Sequence, residues 1–593
     1  MAKAPKIIVV GGGLAGLAAV IKIAEAGGSV DLFSIVPVKR SHSVCAQGGI
    51  NAAKNLKGEG DSTWKHLDDS IYGGDFLANQ PPVKDMCDAA PGIIDLLDRL
   101  GVAFNRTPEG LLDFRRFGGT LYNRTAFAGA TTGQQLLYAL DEQVRRHEAD
   151  GKVTKHEHWE FLSAVLDSNR ICRGICAMDL RSMEVRTFPA DAIIICTGGI
   201  GAIFGKSTNS VVCTGSAQSA LYQQGAYYAN GEFIQVHPTC IPGEDKLRLM
   251  SESARGEGGR VWVPRNKGDQ REWKSIPESE RFYFLEEWYP KYGNLVPRDV
   301  ATRAIHKVVF EEGLGVDGKG MVYLDLTHID RATLDRKLEG ILEIYEKFVG
   351  DDPRTTPMKI FPGMHYTMGG LWVDFKQATN LPGIYAAGEC EYQYHGANRL
   401  GANSLLSCIW GGFVAGPAAM AYAKSAGAPA ANGHFEAEKK RQQEINAGLM
   451  RADGKENPFH LWRELGELMT RDCTVIRYNK ILQQTDIKLV EMLERFTHIN
   501  LSDRTNWANT SVVFARQLYN MLQLARVISQ GAAQRDESRG AHYKPDFPER
   551  DDKNWLKTTK ASFAPDADEP RFEFEPVDTS LIPPRPRRYD VAA

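Results

Sequence analysis

The apolar and polar positions at the start of the chain predict a strand, a helix and a second strand in close succession. "KIIVV" is a short, continuous apolar run of the kind buried in a parallel sheet. "LAGLAAVIKIAEAGG" carries apolar residues at helical spacing and stops at Gly27 and Gly28, which predicts a helix with a glycine end. "SVDLF" then reads as the second strand. Similar buried runs recur far downstream. "DAIIICTGG" (Asp191 to Gly199) runs into a glycine turn, and "GIYAAGE", beginning at Gly383, runs into another. From about 433 the pattern changes to amphipathic helices, "FEAEKKRQQEINAGLM" through "ARQLYNMLQLARVISQGAAQR". From about 541 the chain is rich in proline and charge.

One apolar stretch, Leu400 to Ala423, has no formal charge and is long enough to span a bilayer. It contains Asn403, Ser404, Ser407, Pro417 and four glycines, so a buried segment closing over a cofactor is expected instead.

At 593 residues the chain exceeds one hydrophobic core, so roughly three or four domains are expected. A net charge of −3 with no long basic run argues against a nucleic-acid partner. The ten cysteines form no C-x-x-C pair, which speaks against a zinc ribbon or an iron–sulfur ligand run and for a reducing compartment, and no metal site is expected. "MAKAPKIIVV" enters its strand at once, leaving no room for a signal peptide, so a soluble chain is expected, held to a membrane only through something else.

Between the first strand and helix lies a G-x-G-x-x-G formed by Gly11, Gly13 and Gly16. In strand–turn–helix–strand context this predicts a dinucleotide whose pyrophosphate sits at the helix N-terminus. The acidic ribose ligand usual at the end of the second strand is missing: Asp31 lies inside the strand and Ser34 ends it. That departure, with strands recurring hundreds of residues apart, points to FAD rather than a nicotinamide. Just downstream, "RSHSVCAQGGINA" places His42 and Cys45 ahead of Gln47, Gly48 and Gly49. The glycines suggest backbone brought close to a ligand, and the histidine suggests chemistry with it.

With "HPT", "ESARGEGG", "PRDV", "HYTMGG", "HGANRLGANSLL" and "ESRGAHYKPDFPERDD" in order behind that motif, the chain resembles the flavoprotein subunit of succinate dehydrogenase and fumarate reductase over nearly its whole length. The resemblance implies an α/β fold: a Rossmann-like FAD-binding domain (1–236 and 357–432) with an inserted α+β capping domain (237–356), a helical domain (433–540) and a C-terminal domain (541–593). It implies FAD bonded covalently to His42 and contacted by Gly11, Gly13, Gly16, Ser34, Gln47, Gly48, Gly49, Thr197, Gly198, Glu389, Ser404 and Leu405. Cys45 reads as a bystander. Thr214-Gly215-Ser216-Ala217 stands where many relatives carry Thr-Gly-Asp-Gly, which puts a flavin contact there in doubt.

Two desolvated carboxylates of a C4 substrate need charged or multiple hydrogen-bond partners. By resemblance, Arg399 and His365 hold one carboxylate and His237 and Ser251 the other. Phe117 packs on the ligand and Gly49 brings backbone to it. Arg298 is the implied proton carrier, an awkward role for a guanidinium, and Glu252 and Arg255 are its implied relay to solvent. His365 and Arg399 are expected on the flavin domain, so that substrate lies in the crevice beneath the cap. The implied activity is oxidation of succinate to fumarate, with electrons passed to an iron–sulfur subunit and then to quinone. By resemblance to the branch of the family with haem-bearing anchors, a membrane anchor with haem would hold the assembly on the cytoplasmic face. The same residues serve a fumarate reductase equally well. L-aspartate oxidase, a soluble relative, lacks the covalent-histidine motif, and a non-catalytic electron carrier has no use for the full set of site residues.

Overall fold

The computed structural model of the protein describes residues 4–241, 243, 247–318, 320–425, 432–567 and 569–589. The three opening elements form as the pattern predicts: strand Lys6–Val10, helix Leu14–Glu25 and strand Ser29–Ser34. The distant apolar runs join them. A five-stranded parallel sheet runs Ile384–Ala386, Ala192–Ile195, Lys6–Val10, Ser29–Ser34, Val153–Glu157 in spatial order. Its central strands are apolar throughout because helices cover one face and a further three-stranded sheet (Trp159–Leu166, Cys172–Asp179, Val185–Pro189) the other.

The uncharged stretch forms the helix Asn403–Ser425, which lies along the fingerprint helix. It is the one helix among the described residues long and apolar enough to cross a membrane, and more than half of that window is buried in the protein. Its small residues set the approach: a Cβ on Gly412 would fall 2.3 Å from the Ala15 carbonyl oxygen.

A second body is built on a six-stranded antiparallel sheet ordered Arg248–Leu249, Ile234–Ile241, Met358–Thr367, Val322–Asp325, Arg260–Pro264, Arg281–Phe282. The ladder between Ile234–Ile241 and Met358–Thr367 slips at Gln235/Val236 and again between His237 and Cys240. Pro238 has no N–H for the ladder, so the strand bulges there, and the bulge re-aims His237. His365 lies on the partner strand. The expectation that it belongs to the flavin side of the crevice is therefore replaced by a shared sheet, with the two imidazoles 5.0 Å apart between centroids. The sheet runs beyond both ends of the segment 237–356.

Four long helices, Asn432–Arg451, Pro458–Asp472, Asn479–Phe496 and Thr510–Gln534, follow. The boundary expected at 432–433 abuts residues 426–431, which lie outside the described residues. The hairpin Lys557–Ala564 and Glu569–Pro576 then pairs back onto Tyr228–Ala229. "ESRGAHYKPDFPERDD" forms a buried ionic lattice in which Arg535 bonds Glu232 and Glu537, and Arg539 bonds Glu537 and Asp552. Ala541 N–H donates to Ala397 O and Arg303 Nη1 to Gly540 O, so the lattice braces both the Arg399 turn and the helix Arg298–His306.

Candidate active site

One cavity of about 590 Å³ joins the fingerprint to the antiparallel sheet. Its nucleotide end is lined by Gly11, Gly13, Ser34, Thr197 and Gly198. Gly11 has φ +113°, and a Cβ there would meet the Cys196 carbonyl oxygen at 2.1 Å, so only glycine lets the two strand ends converge. Gly16, expected to contact cofactor, does not line the cavity. Its missing Cβ, which would lie 1.9 Å from Gly11 O, instead lets the helix close on the turn. The Thr214–Ala217 turn lines the same end, with Ser216 opening the helix Ser216–Gln223. The Thr197 hydroxyl is buried without a protein partner and lines the cavity, as a ligand-binding hydroxyl should.

The middle of the cavity is walled by His42, Cys45, Gln47, Gly48 and Gly49 on one side and Glu389, Ser404 and Leu405 on the other. His42 opens a short 3₁₀ turn and accepts the Ser210 N–H on Nδ1 at 3.2 Å. Cys45 is an exposed free thiol. Glu389 is partly buried against the cavity; burial pushes its carboxyl up to about 7, although the Thr367 N–H, at 3.1 Å, opposes the rise. Ser404 and Leu405 belong to the first turn of the helix Asn403–Ser425. Sequence reasoning missed Arg115. Its guanidinium donates to Gln47 O at 3.2 Å and to Gly48 O at 3.1 Å and sits 4.0 Å over the Phe127 ring, where burial lowers its pKa to about 9. The Gln47–Gly48 loop thus rests on a buried cation.

At the far end Phe117, His237, Ser251, Glu252, Arg298, His365 and Arg399 converge on the cavity. Phe117 fills the space beside Gly48 and Gly401. Arg298 begins its helix directly after Pro297 and is anchored on three sides. Its Nε and Nη2 donate to Glu252 Oε2 at 2.9 and 2.8 Å, and its Nη1 donates to Gln235 Oε1 at 2.9 Å. Arg255 Nη2 takes the other Glu252 oxygen at 2.8 Å. Glu252 and Arg255 are therefore no surface pair: each side chain is 1% exposed. Arg255 stands behind Glu252, outside the cavity lining. Burial works to raise the Glu252 pKa, but the Arg298 and Arg255 charges outweigh it and hold the carboxylate below its ordinary range.

The two histidines are held neutral, first by burial and then by the neighbouring arginines. His237 Nδ1 accepts the Thr239 N–H at 3.2 Å, which puts the imidazole hydrogen on Nε2, and that nitrogen has no protein partner. His365 Nδ1 bonds Thr208 Oγ1 at 2.7 Å. Arg399 lies 4.3 Å over the Tyr366 ring with its Nε unpartnered; burial, then Arg298, lowers its pKa to about 9. Ser251 Oγ lies 2.8 Å from Ser253 Oγ. Arg298, Arg399 and the His237 Nε2–H, with His365 beside them, surround the Glu252 carboxylate and make an end suited to a dianion. Gln235 and Thr208 were missed, although Gln235 sits two residues before His237 in the same motif.

The comparisons agree with this geometry. Residues 6–405 match the family model described as FAD binding domain, and residues 462–589 that described as fumarate reductase flavoprotein C-term. The succinate dehydrogenase flavoprotein subunit of Bacillus subtilis (strain 168) is 64% identical over 98% of this chain and 98% of its own. The fumarate reductase flavoprotein subunit of Escherichia coli (strain K12) is 34% identical over 98% of this chain and 95% of its own. A variant of E. coli quinol fumarate reductase FrdA superposes with a TM-score of 0.91 at 31% identity, covering 100% of both chains. Mycobacterium smegmatis Sdh1 in complex with UQ1 superposes with a TM-score of 0.82 at 27% identity, covering 97% of this chain and 94% of that one. From the fingerprint cradle to the arginine-lined end, and along essentially its full length, the chain belongs to the FAD-binding flavoprotein subunits of succinate dehydrogenase and fumarate reductase.

Proposed function

We propose that the protein oxidises succinate to fumarate on a covalently held FAD and passes the electrons through an iron–sulfur subunit to membrane quinone. The observation that carries this reading is the buried Arg298–Glu252–Arg255 chain meeting Arg399, His365 and His237 at one end of the FAD cavity. Arg399 and His365 take one substrate carboxylate, and His237 Nε2 and Ser251 the other. Phe117 and the Gly48–Gly49 backbone exclude water around them. The flavin, when bound, supplies the hydride acceptor. Arg298 gives a guanidinium proton to the Glu252 carboxylate as it takes the proton from the neighbouring methylene, so its charge is restored in the same step, with Arg255 as the next group outward. Cofactor contacts fall to Gly11, Gly13, Ser34, Gln47, Thr197, Gly198, Glu389, Ser404 and Leu405, with Gly16 acting through packing. We read the body built on the antiparallel sheet as the cap over the substrate, between the two parts of the FAD domain and ahead of the helical and C-terminal domains.

The 64% identity to a protein named for succinate dehydrogenase favours oxidation over fumarate reduction as the working direction. Quinone as final acceptor draws support from structural relatives solved with UQ1 and with menaquinol. The chain has no cysteine run to ligate an iron–sulfur cluster of its own. An iron–sulfur subunit on a haem-bearing membrane anchor, at the cytoplasmic face, completes the proposed route. The isolated chain is expected to reduce small dyes with succinate yet leave quinone in lipid vesicles oxidised. Quinone reduction by the pure chain would remove the need for a partner.

Covalent attachment is assigned to His42. Its Nδ1 accepts the Ser210 N–H at 3.2 Å, which holds the ring against the middle of the cavity. After denaturing electrophoresis the 65.7 kDa chain should fluoresce under ultraviolet light. His42→Ser should lose the fluorescent band while keeping FAD by affinity, and should lose succinate oxidation far more than fumarate reduction. Release of all flavin by acid from the native chain would exclude the linkage.

A further inference from the structure

The motifs "QGGIN" and "NRLGAN" each end in an asparagine to which the site chemistry gives no task, and the fold brings the two together. Asn51 is fully buried at the end of the two-residue strand that follows Gly49. Its N–H donates to Ala402 O at 3.1 Å; its Nδ2 donates to Gly401 O and to Asn403 Oδ1, both at 2.8 Å. Thr125 Oγ1 donates to Asn51 Oδ1 at 2.6 Å, which fixes the amide orientation. Asn403 Oδ1 also accepts from His66 Nε2 at 2.9 Å, and its Nδ2 donates to Ser70 Oγ at 2.9 Å. Burial, then Arg124, lowers the His66 pKa to about 3, so the ring is neutral and its hydrogen lies on Nε2.

The two backbones stitched together are the two walls of the cavity. One carries Gln47, Gly48 and Gly49. The other runs from Arg399 through Ala402 to the first turn of the helix bearing Ser404 and Leu405. Ala402 has φ +63°, a left-handed conformation that a residue with a Cβ keeps only where its surroundings hold it. The bonds from Asn51 to the Gly401 and Ala402 carbonyls supply that restraint. We propose that Asn51, backed by Asn403, His66 and Thr125, is a positioning residue that sets the spacing between the flavin loop and the Arg399 turn. Through that spacing it sets both the flavin's reduction potential and the fit of the dicarboxylate. The inference rests on the reading of the cavity as a flavin and dicarboxylate site.

The test compares Asn51→Ala, Asn403→Ala and the double variant, each in the assembled enzyme with FAD bound. Asn51→Ala should raise the KM for succinate at least tenfold, because Arg399 moves with its turn. It should also shift the flavin's oxidised–reduced equilibrium about tenfold, roughly 30 mV for a two-electron couple. The double variant should resemble either single one, since one joint is broken in all three. If Asn51→Ala fails to fold, Thr125→Val removes only the bond that orients the amide and should move potential and KM in the same direction, less far. A lowered melting temperature with native potential and native KM in the variants that fold would overturn the proposal and leave a structural joint. Native turnover in an Arg298→Ala protein would instead sink the site reading itself, so the two failures are distinguishable.

Discussion

Arg298→Ala is expected to lower succinate turnover by about 10⁴-fold or more, with FAD content unchanged. A single acid–base group is worth roughly 10²–10⁴. The upper end is expected here because Arg298 is buried, where water is a poor substitute for it. At about 1.4 kcal/mol per tenfold, the loss corresponds to roughly 5.5 kcal/mol of barrier. Much of Arg298's value is orientation. Two of its nitrogens are fixed on Glu252 and the third on Gln235, so the guanidinium is held rigid before substrate arrives. Arg298→Lys keeps the charge but not the fork, and should restore binding better than turnover. Arg399→Ala should differ in kind, raising KM as well as lowering kcat. Steady-state rates with FAD content measured on the same sample decide the matter. Retention of a tenth of native activity by Arg298→Ala would remove it from the proton-transfer role.

The parts of this fold that were legible in the sequence are those written in neighbouring residues. "KIIVV", "DAIIIC" and "GIYAA" read as buried strands because each is a compact apolar run, and they do pair in one parallel sheet. The six-stranded antiparallel sheet was not legible. Several of its strands are two to five residues long, and one of its two long strands is interrupted by Pro238. Hence His365 was expected on the other side of the crevice, although its strand pairs with that of His237. Arg115, Gln235, Asn51 and Thr208 escaped for a related reason. Each acts through a partner far along the chain, as with Asn51 and Gly401, 350 positions apart, and periodicity carries no information at that range. Motif order pointed to Arg298, Glu252 and Arg399. The side chains packed behind them, and the Arg115 cation under Gln47 and Gly48, emerge only once the backbone is folded.

Glu252→Gln should be the second large effect, and it separates a relay from a counter-ion. Glu252 is enclosed between two guanidiniums, with its Oε1 on Arg255 and its Oε2 on Arg298. Gly118 leaves room for it, since a Cβ there would lie 2.0 Å from Oε1. The amide keeps the shape but removes the charge, leaving Arg298 and Arg255 buried together without their carboxylate. Removing one partner of a buried ion pair costs roughly 3–5 kcal/mol, so thermal stability should fall at neutral pH. The sign with pH follows from the depressed carboxyl pKa in the folded state. Glu252 contributes its stability above the unfolded carboxyl value, near 4.3, and that contribution disappears as pH falls through the lower folded value. The native protein should therefore lose stability towards acid more steeply than Glu252→Gln, and the two curves should converge at low pH. Turnover should fall by roughly 10²–10⁴, because glutamine can hold Arg298 in place but cannot accept its proton. Denaturation followed at several pH values, with kcat measured on the same preparations, tests both halves. Lost stability with native kcat would make Glu252 a counter-ion only, and the proton would have to leave Arg298 by another route.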